Sequence, residues 1–438
     1  MPHDPLSPND LLADELAQRR ESGYDIDSVL AALDGTDPAE LPAARATELL
    51  DELEHTARRA DWVYEEPDAL DEIVAAIGTQ APPPVSVERY AERVHGAWQG
   101  RAAGCNLGKP VENGFSFTAA SLRRYLELAG DYPIRDYIPL LNPLPAEFVL
   151  HPSHPMTTRG NIDGSARDDD LDYTVLGLHL LETYGPDYTT DDVAREWLQR
   201  LPFLLTYTAE RAVYRNLTAG IEPERAATVR NPYREWIGAQ IRADIHGYRH
   251  AGDPMGAAKS VFPDAALSHV GNGIYGAMWS AALVAAAFTA DDVRRAVEIS
   301  ARCVPPQSRL AEALRTVLDL HAGGASWEQA QQQVEREYGH YSWVHTINNA
   351  VVVAMGVLWG AGDFTSTIGL TVQGAWDTDS NGATAGSVAG AFLGRDGIPE
   401  HWLAPLDDRL RSAVSGFDGS RISALAERTI RLTESGSA

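Results

Sequence analysis

Four glycines spaced by four, at 382, 386, 390 and 394, constrain this chain more than any other feature of it. They lie in WDTDSNGATAGSVAGAFLG, residues 376–394, and on an α-helix that spacing puts them on one face. Each costs a helix about 1 kcal/mol relative to alanine, so a solvated helix has no reason to carry four. The expected reason is steric, because a face without side chains lets another backbone come close. The segment reads as a buried helix whose first turn carries Asp377, Asp379 and Ser380. Aspartate and serine also serve as ordinary caps, and one of the three is expected to do so. Their crowding into four positions points to a site at the centre of the molecule.

A second acidic tip stands in GNIDGSARDDDLDYTVLGLHLLE, residues 160–182. Asp168, Asp169, Asp170 and Asp172 head a helix whose apolar residues are Val175, Leu176, Leu178, Leu180 and Leu181. Acidic residues favour a helix start, but three in succession repel one another. Because the helix that follows reads as buried on most sides, a bound cation explains the density better than solvent does. Small-residue ladders recur at Gly273, Ala277, Ala281 and Ala285, and 341–360 is an almost wholly apolar helix. No alternating β-branched run bounded by hairpin turns is found, so the chain reads all-α. It also lacks a Walker GxxxxGK[ST] and a strand-borne GxGxxG.

Elsewhere the pattern is less specific. Residues 1–81 read as short helices broken by turns, and QAPPPV at 80–85 as a linker, since three prolines cannot continue a helix. The division expected is an acidic helical extension with its linker over 1–86 and a catalytic domain over 87–438. Ser86 is expected to cap a helix running through Tyr90, Val94 and Trp98. Residues 115–160, rich in proline and tyrosine, read as a long irregular loop; 291–338 as two amphipathic helices; 231–248 as one helix; 422–432 as a last one.

Net charge is −26, and the first 86 residues hold 20 acidic side chains against 5 arginines. Such a balance argues against nucleic acid or an anionic membrane as partner. Lysine occurs only at 109 and 259, which reads as compositional bias. Two cysteines, 105 and 303, make no disulfide framework. The N-terminus shows no basic-then-apolar leader, and the longest apolar stretch, 281–288, is too short to span a bilayer. A cytoplasmic protein is expected.

Neither acidic tip contains histidine or cysteine. Hard oxygen donors alone suit Mg²⁺, Mn²⁺ or Ca²⁺ rather than Zn²⁺. One or two such ions held between facing helices can fix a diol and orient a water. That arrangement suits cleavage of a glycosidic bond through an oxocarbenium-like transition state.

Four elements, taken in order, resemble the ADP-ribosylglycohydrolase family, which includes the dinitrogenase-reductase-activating glycohydrolases. Gly104–Glu112 (GCNLGKPVE) follows the family's GDxxGxPxE loop, and Asp168–Leu171 its Thr-Asp-Asp-Thr run. Ser268-His269 precedes a small-residue helix as the family's Ser-His element does, and Asp377-Thr378-Asp379-Ser380 follows its Asp-x-Asp-Thr/Ser. The resemblance spans roughly 88–400. It implies an all-α, orthogonally packed helical fold and two Mg²⁺ ions, or Mn²⁺, on Asp168, Asp169, Asp170, Asp377, Asp379 and Ser380. Catalytic roles are implied for Glu112, Asp170 and Asp379, and substrate contacts for Gly108, Asn161, Ser268, His269, Gly271 and Asn272. The implied reaction is hydrolysis between C1″ of ADP-ribose and an acceptor on a protein or small molecule. Three departures stand out. Asp168 replaces a neutral threonine, Leu171 removes a hydroxyl, and Cys105 stands for an aspartate. They leave room for a smaller ribosylated metabolite or nucleoside-type substrate, or for a non-catalytic ADP-ribose-binding relative.

Overall fold

The computed structural model describes residues 6–112 and 117–434. Helices take up 63% of the chain, in 22 α-helical segments among the described residues. The strands there are one two-residue pair, Arg409–Leu410 against Ser420–Arg421. The fold is all-α. No helix of the described residues is long and apolar enough to cross a membrane.

The centre is a pair of interlocked helices, Tyr90–Gly108 and Thr378–Leu393. Around them lie the buried helices Asn272–Ala287 and Thr346–Gly360, both apolar on nearly every side. The helix Asp169–Tyr184 completes the frame, with eleven of its sixteen residues buried.

The first residues build a smaller apolar cluster of their own. Leu12 and Leu16 of Pro8–Glu21, Val29 of Asp27–Leu33, and Leu49 and Leu53 of Ala43–Glu54 pack there with Ala209 and Tyr233. Ile73 and Ile77 of the next helix, Leu70–Ile77, instead enter the main core.

Buried charge ties the small cluster to the rest. Arg309 pairs with Glu66 at 2.9 Å and with Glu235 at 2.6 Å. Gln18 and Ser22 both donate to Glu235 at 2.7 Å, and Glu15 pairs with Arg234 at 2.7 Å. Removing one partner of a buried pair leaves the other charge without compensation, which costs about 3–5 kcal/mol. Arg309→Ala is therefore expected to lower unfolding stability by about that amount, read from a denaturant titration. A loss under 1 kcal/mol would contradict the account.

Several segments differ from the sequence expectation. The helix expected from Ser86 starts at Tyr90, after Arg89 in a left-handed conformation (φ 55°), with no side-chain cap. The region read as a loop contains the helix Ala119–Ala129, capped by Thr118 and buried through Leu122, Tyr125 and Leu126. Its prolines cluster after that helix and hid its short apolar face; residues 115 and 116 lie outside the described ones. Residues 293–338 form three helices, not two. The 231–248 segment is irregular up to Trp236, then a 3₁₀ turn Ile237–Arg242 and a short helix Asp244–Arg249.

Candidate active site and metal centre

The glycine faces set the site's position. Helix 90–108 carries its own four-spaced glycines, at 96, 100, 104 and 108, and these meet the 378–393 helix rung by rung. A Cβ on Gly104 would lie 1.8 Å from the carbonyl oxygen of Gly382, and one on Gly100 2.1 Å from that of Gly386. At the far end Gly96 faces Gly390, and at the near end Gly108 faces Thr378. Thr378 closes that end by donating its hydroxyl to the Gly108 carbonyl at 2.9 Å. The glycine face thus brings the tip at 377–380 directly over the Lys109–Glu112 turn. Gly394 ends the helix at φ 79°, and its carbonyl carbon would lie 2.6 Å from a Cβ on Gly96.

The other tip is fixed from below. Arg101, fully buried, pairs with Asp244 at 2.7 Å and donates to the Asp170 carbonyl at 2.7 Å. Asp172 turns outward to Arg167 and Ser412, each at 2.7 Å, and so anchors the tail rather than the site. Immediately before Asp377, Ala375 and Trp376 both hold positive φ, 62° and 60°. Non-glycine residues pay roughly 1–2 kcal/mol each for that conformation. Such strain persists where the surroundings over-determine it; here Asn349 accepts from the Asp377 amide at 3.2 Å and from Asn381 at 2.7 Å.

The two tips and the turn converge. Ligand atoms of Asp168, Asp170 and Asp379 lie within 4.8 Å of one another, as do those of Glu112, Asp377 and Asp379. Among them sits the Lys109 ammonium, 2.6 Å from Asp168, 2.8 Å from Asp379 and 2.7 Å from Glu112. Asp168 also caps its helix, accepting from the Asp170 amide at 3.0 Å. The Ser380 hydroxyl donates to the Asp377 carbonyl at 3.1 Å.

Burial opposes the charge on Lys109, but Asp168, Asp379 and Glu112 outweigh it and hold the ammonium well above its ordinary range. Asp168 shows the converse: burial would raise it, yet Lys109 and the helix-start hydrogen bonds keep it well below the usual carboxylate range. The other carboxyls are driven upward. Burial and the charge of Asp168 push Asp169 up to about 7. Burial, with Asp168 and Asp379 beside it, raises Asp170 well above its ordinary value. Glu112 and Asp377 rise for the same first reason, with Asp379 next.

A cavity of about 590 Å³ opens onto this cluster, within the range of small-molecule sites. Lys109, Glu112, Asp169, Asp170, Asp377 and Asp379 form its acidic end. Tyr207, Tyr233, Trp236 and Trp343 supply aromatic surface, and Asp14 reaches in from the N-terminal helices. His151 adds an imidazole 3.7 Å from Glu112.

Of the residues expected to contact substrate, none is among those lining this cavity. Ser268 bonds Arg242 and His269, each at 2.7 Å, in the buried interior. Gly271 and Asn272 bind Asp68, Glu66 and Glu235 in the network that holds the N-terminal helices. Asn161 donates to Thr158 in its own turn, and Gly108 serves as the last rung of the glycine contact. The cavity wall went unread because its aromatics come from separate loops with no shared motif. Lys109 did leave a signal, as one of two lysines in an arginine-rich chain and placed inside a recognised loop.

The ADP-ribosylglycohydrolase family model matches residues 86–438. The chain belongs to the ADP-ribosylglycohydrolase family. A solved structure described as an ADP-ribosylglycohydrolase-related protein complex is similar at 18% identity, over 79% of this chain and 99% of that one, with a TM-score of 0.45. A search of the curated proteins gives no match. The family consists of glycohydrolases acting on ADP-ribose-type substrates and is generally metal-dependent. The donors here fit a hard divalent ion. They are carboxylates without sulfur, several are pushed toward protonation by one another, and Asp170 Oδ1 is buried with no hydrogen-bond partner.

Proposed function

We propose that the protein is a divalent-metal-dependent hydrolase that cleaves the glycosidic bond between the C1″ of ADP-ribose and an acceptor. What carries the reading is the convergence of the two acidic tips and Glu112 at the floor of one cavity. Asp169, Asp170, Asp377 and Asp379, with Asp168 and Ser380 beside them, are the proposed donors for Mg²⁺ or Mn²⁺. Such an ion, when bound, neutralises the cluster, holds the sugar hydroxyls and makes a water more acidic. Glu112 is proposed to take the proton of the attacking water or return it to the leaving group. The aromatic wall stacks the base or aglycone and excludes bulk water.

One observation favours a smaller substrate. Among the described residues that line the cavity, Asp14, Glu112, Asp169, Asp170, Glu210, Asp377 and Asp379 are acidic, and Lys109 and His151 are the basic ones. Lys109 is already committed to three carboxylates. A pyrophosphate meets repulsion along such a wall, whereas a neutral or cationic ribosyl compound does not. Turnover of ADP-ribosyl-arginine, ADP-ribosyl-serine and simple ribosides, each with Mg²⁺ or Mn²⁺ and with EDTA, separates the two readings. Release of the acceptor from an ADP-ribosyl substrate supports the first, and turnover of ribosides alone the second. Hydrolysis unaffected by EDTA contradicts both.

A further inference from the structure

We infer that the Lys109 ammonium takes the place of one of the two ions implied for this site, so that the cluster binds a single divalent cation. The inference rests on the metal-dependent reading above and sets its stoichiometry.

Three contacts carry it. The Lys109 ammonium donates to Glu112 and Asp379 at 2.7 and 2.8 Å and forms an ion pair with Asp168 at 2.6 Å. These carboxylates come from three different segments, which is the bridging role an ion between the tips would play. The lysine is held there by its position, two residues before Val111 in the buried Lys109–Val111 turn. Its side chain is only 11% exposed. A divalent ion bonds its oxygens at about 2.0–2.1 Å, so one bridging Asp168 Oδ2 and Asp379 Oδ2 would be pressed against, and repelled by, the ammonium that already touches both.

The charge arrangement agrees. Asp168 adds a carboxylate to the 168–170 tip, and that carboxylate is the one nearest Lys109. Lysine and aspartate thus form an internal pair that adds no net charge. On the other side, Asp170 Oδ1 is buried without a partner, and Asp169 and Asp377 face the cavity with no ion pair of their own among the described contacts. Asp379 belongs to both groups of converging carboxylates, and through it Asp170 on one side and Asp377 on the other are left to hold one ion, with Asp169 beside them at the cavity.

Titration of the full chain with Mn²⁺, followed by equilibrium dialysis and electron paramagnetic resonance, tests this without any substrate. Two Mn²⁺ ions sharing carboxylates sit about 3.5–4 Å apart and give a broad, exchange-coupled spectrum, whereas one ion gives resolved hyperfine structure. The wild-type chain is expected to bind one Mn²⁺ with resolved hyperfine lines. Lys109→Met is expected to bind two, with a coupled spectrum. If that variant does not fold, the double variant Lys109→Met with Asp168→Thr, which removes both charges and keeps a capping hydroxyl, is expected to do the same. A coupled pair in the wild-type chain overturns the role of Lys109 and leaves the hydrolase reading standing. One ion in a folded variant also overturns it. No Mn²⁺ binding at all overturns both.

Discussion

Asp379→Asn is expected to lower kcat by roughly a thousandfold or more, since a metal centre contributes several kcal/mol of transition-state stabilisation. Among the described residues, Asp379 is the carboxylate common to both converging groups, and it is one of three partners of Lys109. Its charge also raises the carboxyls of Asp170, Asp377 and Glu112. Neutralising it relieves that repulsion, so the metal-free variant is expected to melt at or above the wild-type temperature while losing activity. This opposite movement of stability and activity is typical of a site assembled at a cost to the fold. Turnover within tenfold of wild type, or lost activity accompanied by unfolding, would contradict the assignment.

The second large effect concerns the scaffold. Gly104→Ala places a methyl group 1.8 Å from the Gly382 carbonyl oxygen and 2.4 Å from its carbon. Those atoms are backbone, so no rotamer change yields space, and the two helices must separate along their length. Overpacking costs about 1–3 kcal/mol where side chains can adjust and more where they cannot. About 3 kcal/mol or more is expected here, read as a drop in Tm. Because separation also lifts the 377–380 tip from Lys109, affinity for Mn²⁺ is expected to fall with it. A Gly104→Ala chain that melts and binds as wild type would contradict the rung-by-rung contact.

How much of this could be read beforehand varies from residue to residue, for physical reasons. The glycines at 382, 386 and 390 were legible because four-spaced glycine in a helix is costly unless a backbone lies against it. Their partner was not paired with them, although Gly96, Gly100, Gly104 and Gly108 repeat the same spacing. A steric face announces that something packs on it, not what. The two acidic tips were legible because like charges in that density require a counter-charge. That part of the counter-charge is a lysine was not, since its three pairs are made only in the fold.

The polar residues at 268–272 lie apart from the lining of the cavity. Serine, histidine and asparagine before a helix look the same in sequence whether they face a ligand or a buried ion pair. Here Asn272 serves Glu66 and Glu235, whose partner Arg309 lies 37 residues beyond it. Nor does any motif connect Asp14, Tyr207, Trp236 and Trp343, which meet only at the cavity wall.

The central claim is that two acidic helix tips, joined by a glycine contact, hold a divalent cation at the floor of the cavity. Crystals soaked in Mn²⁺ and measured for anomalous scattering address it most directly. The account predicts an anomalous peak bounded by the carboxylates of Asp170, Asp377 and Asp379. A cavity without such a peak at saturating Mn²⁺, or a peak elsewhere on the molecule alone, would contradict it.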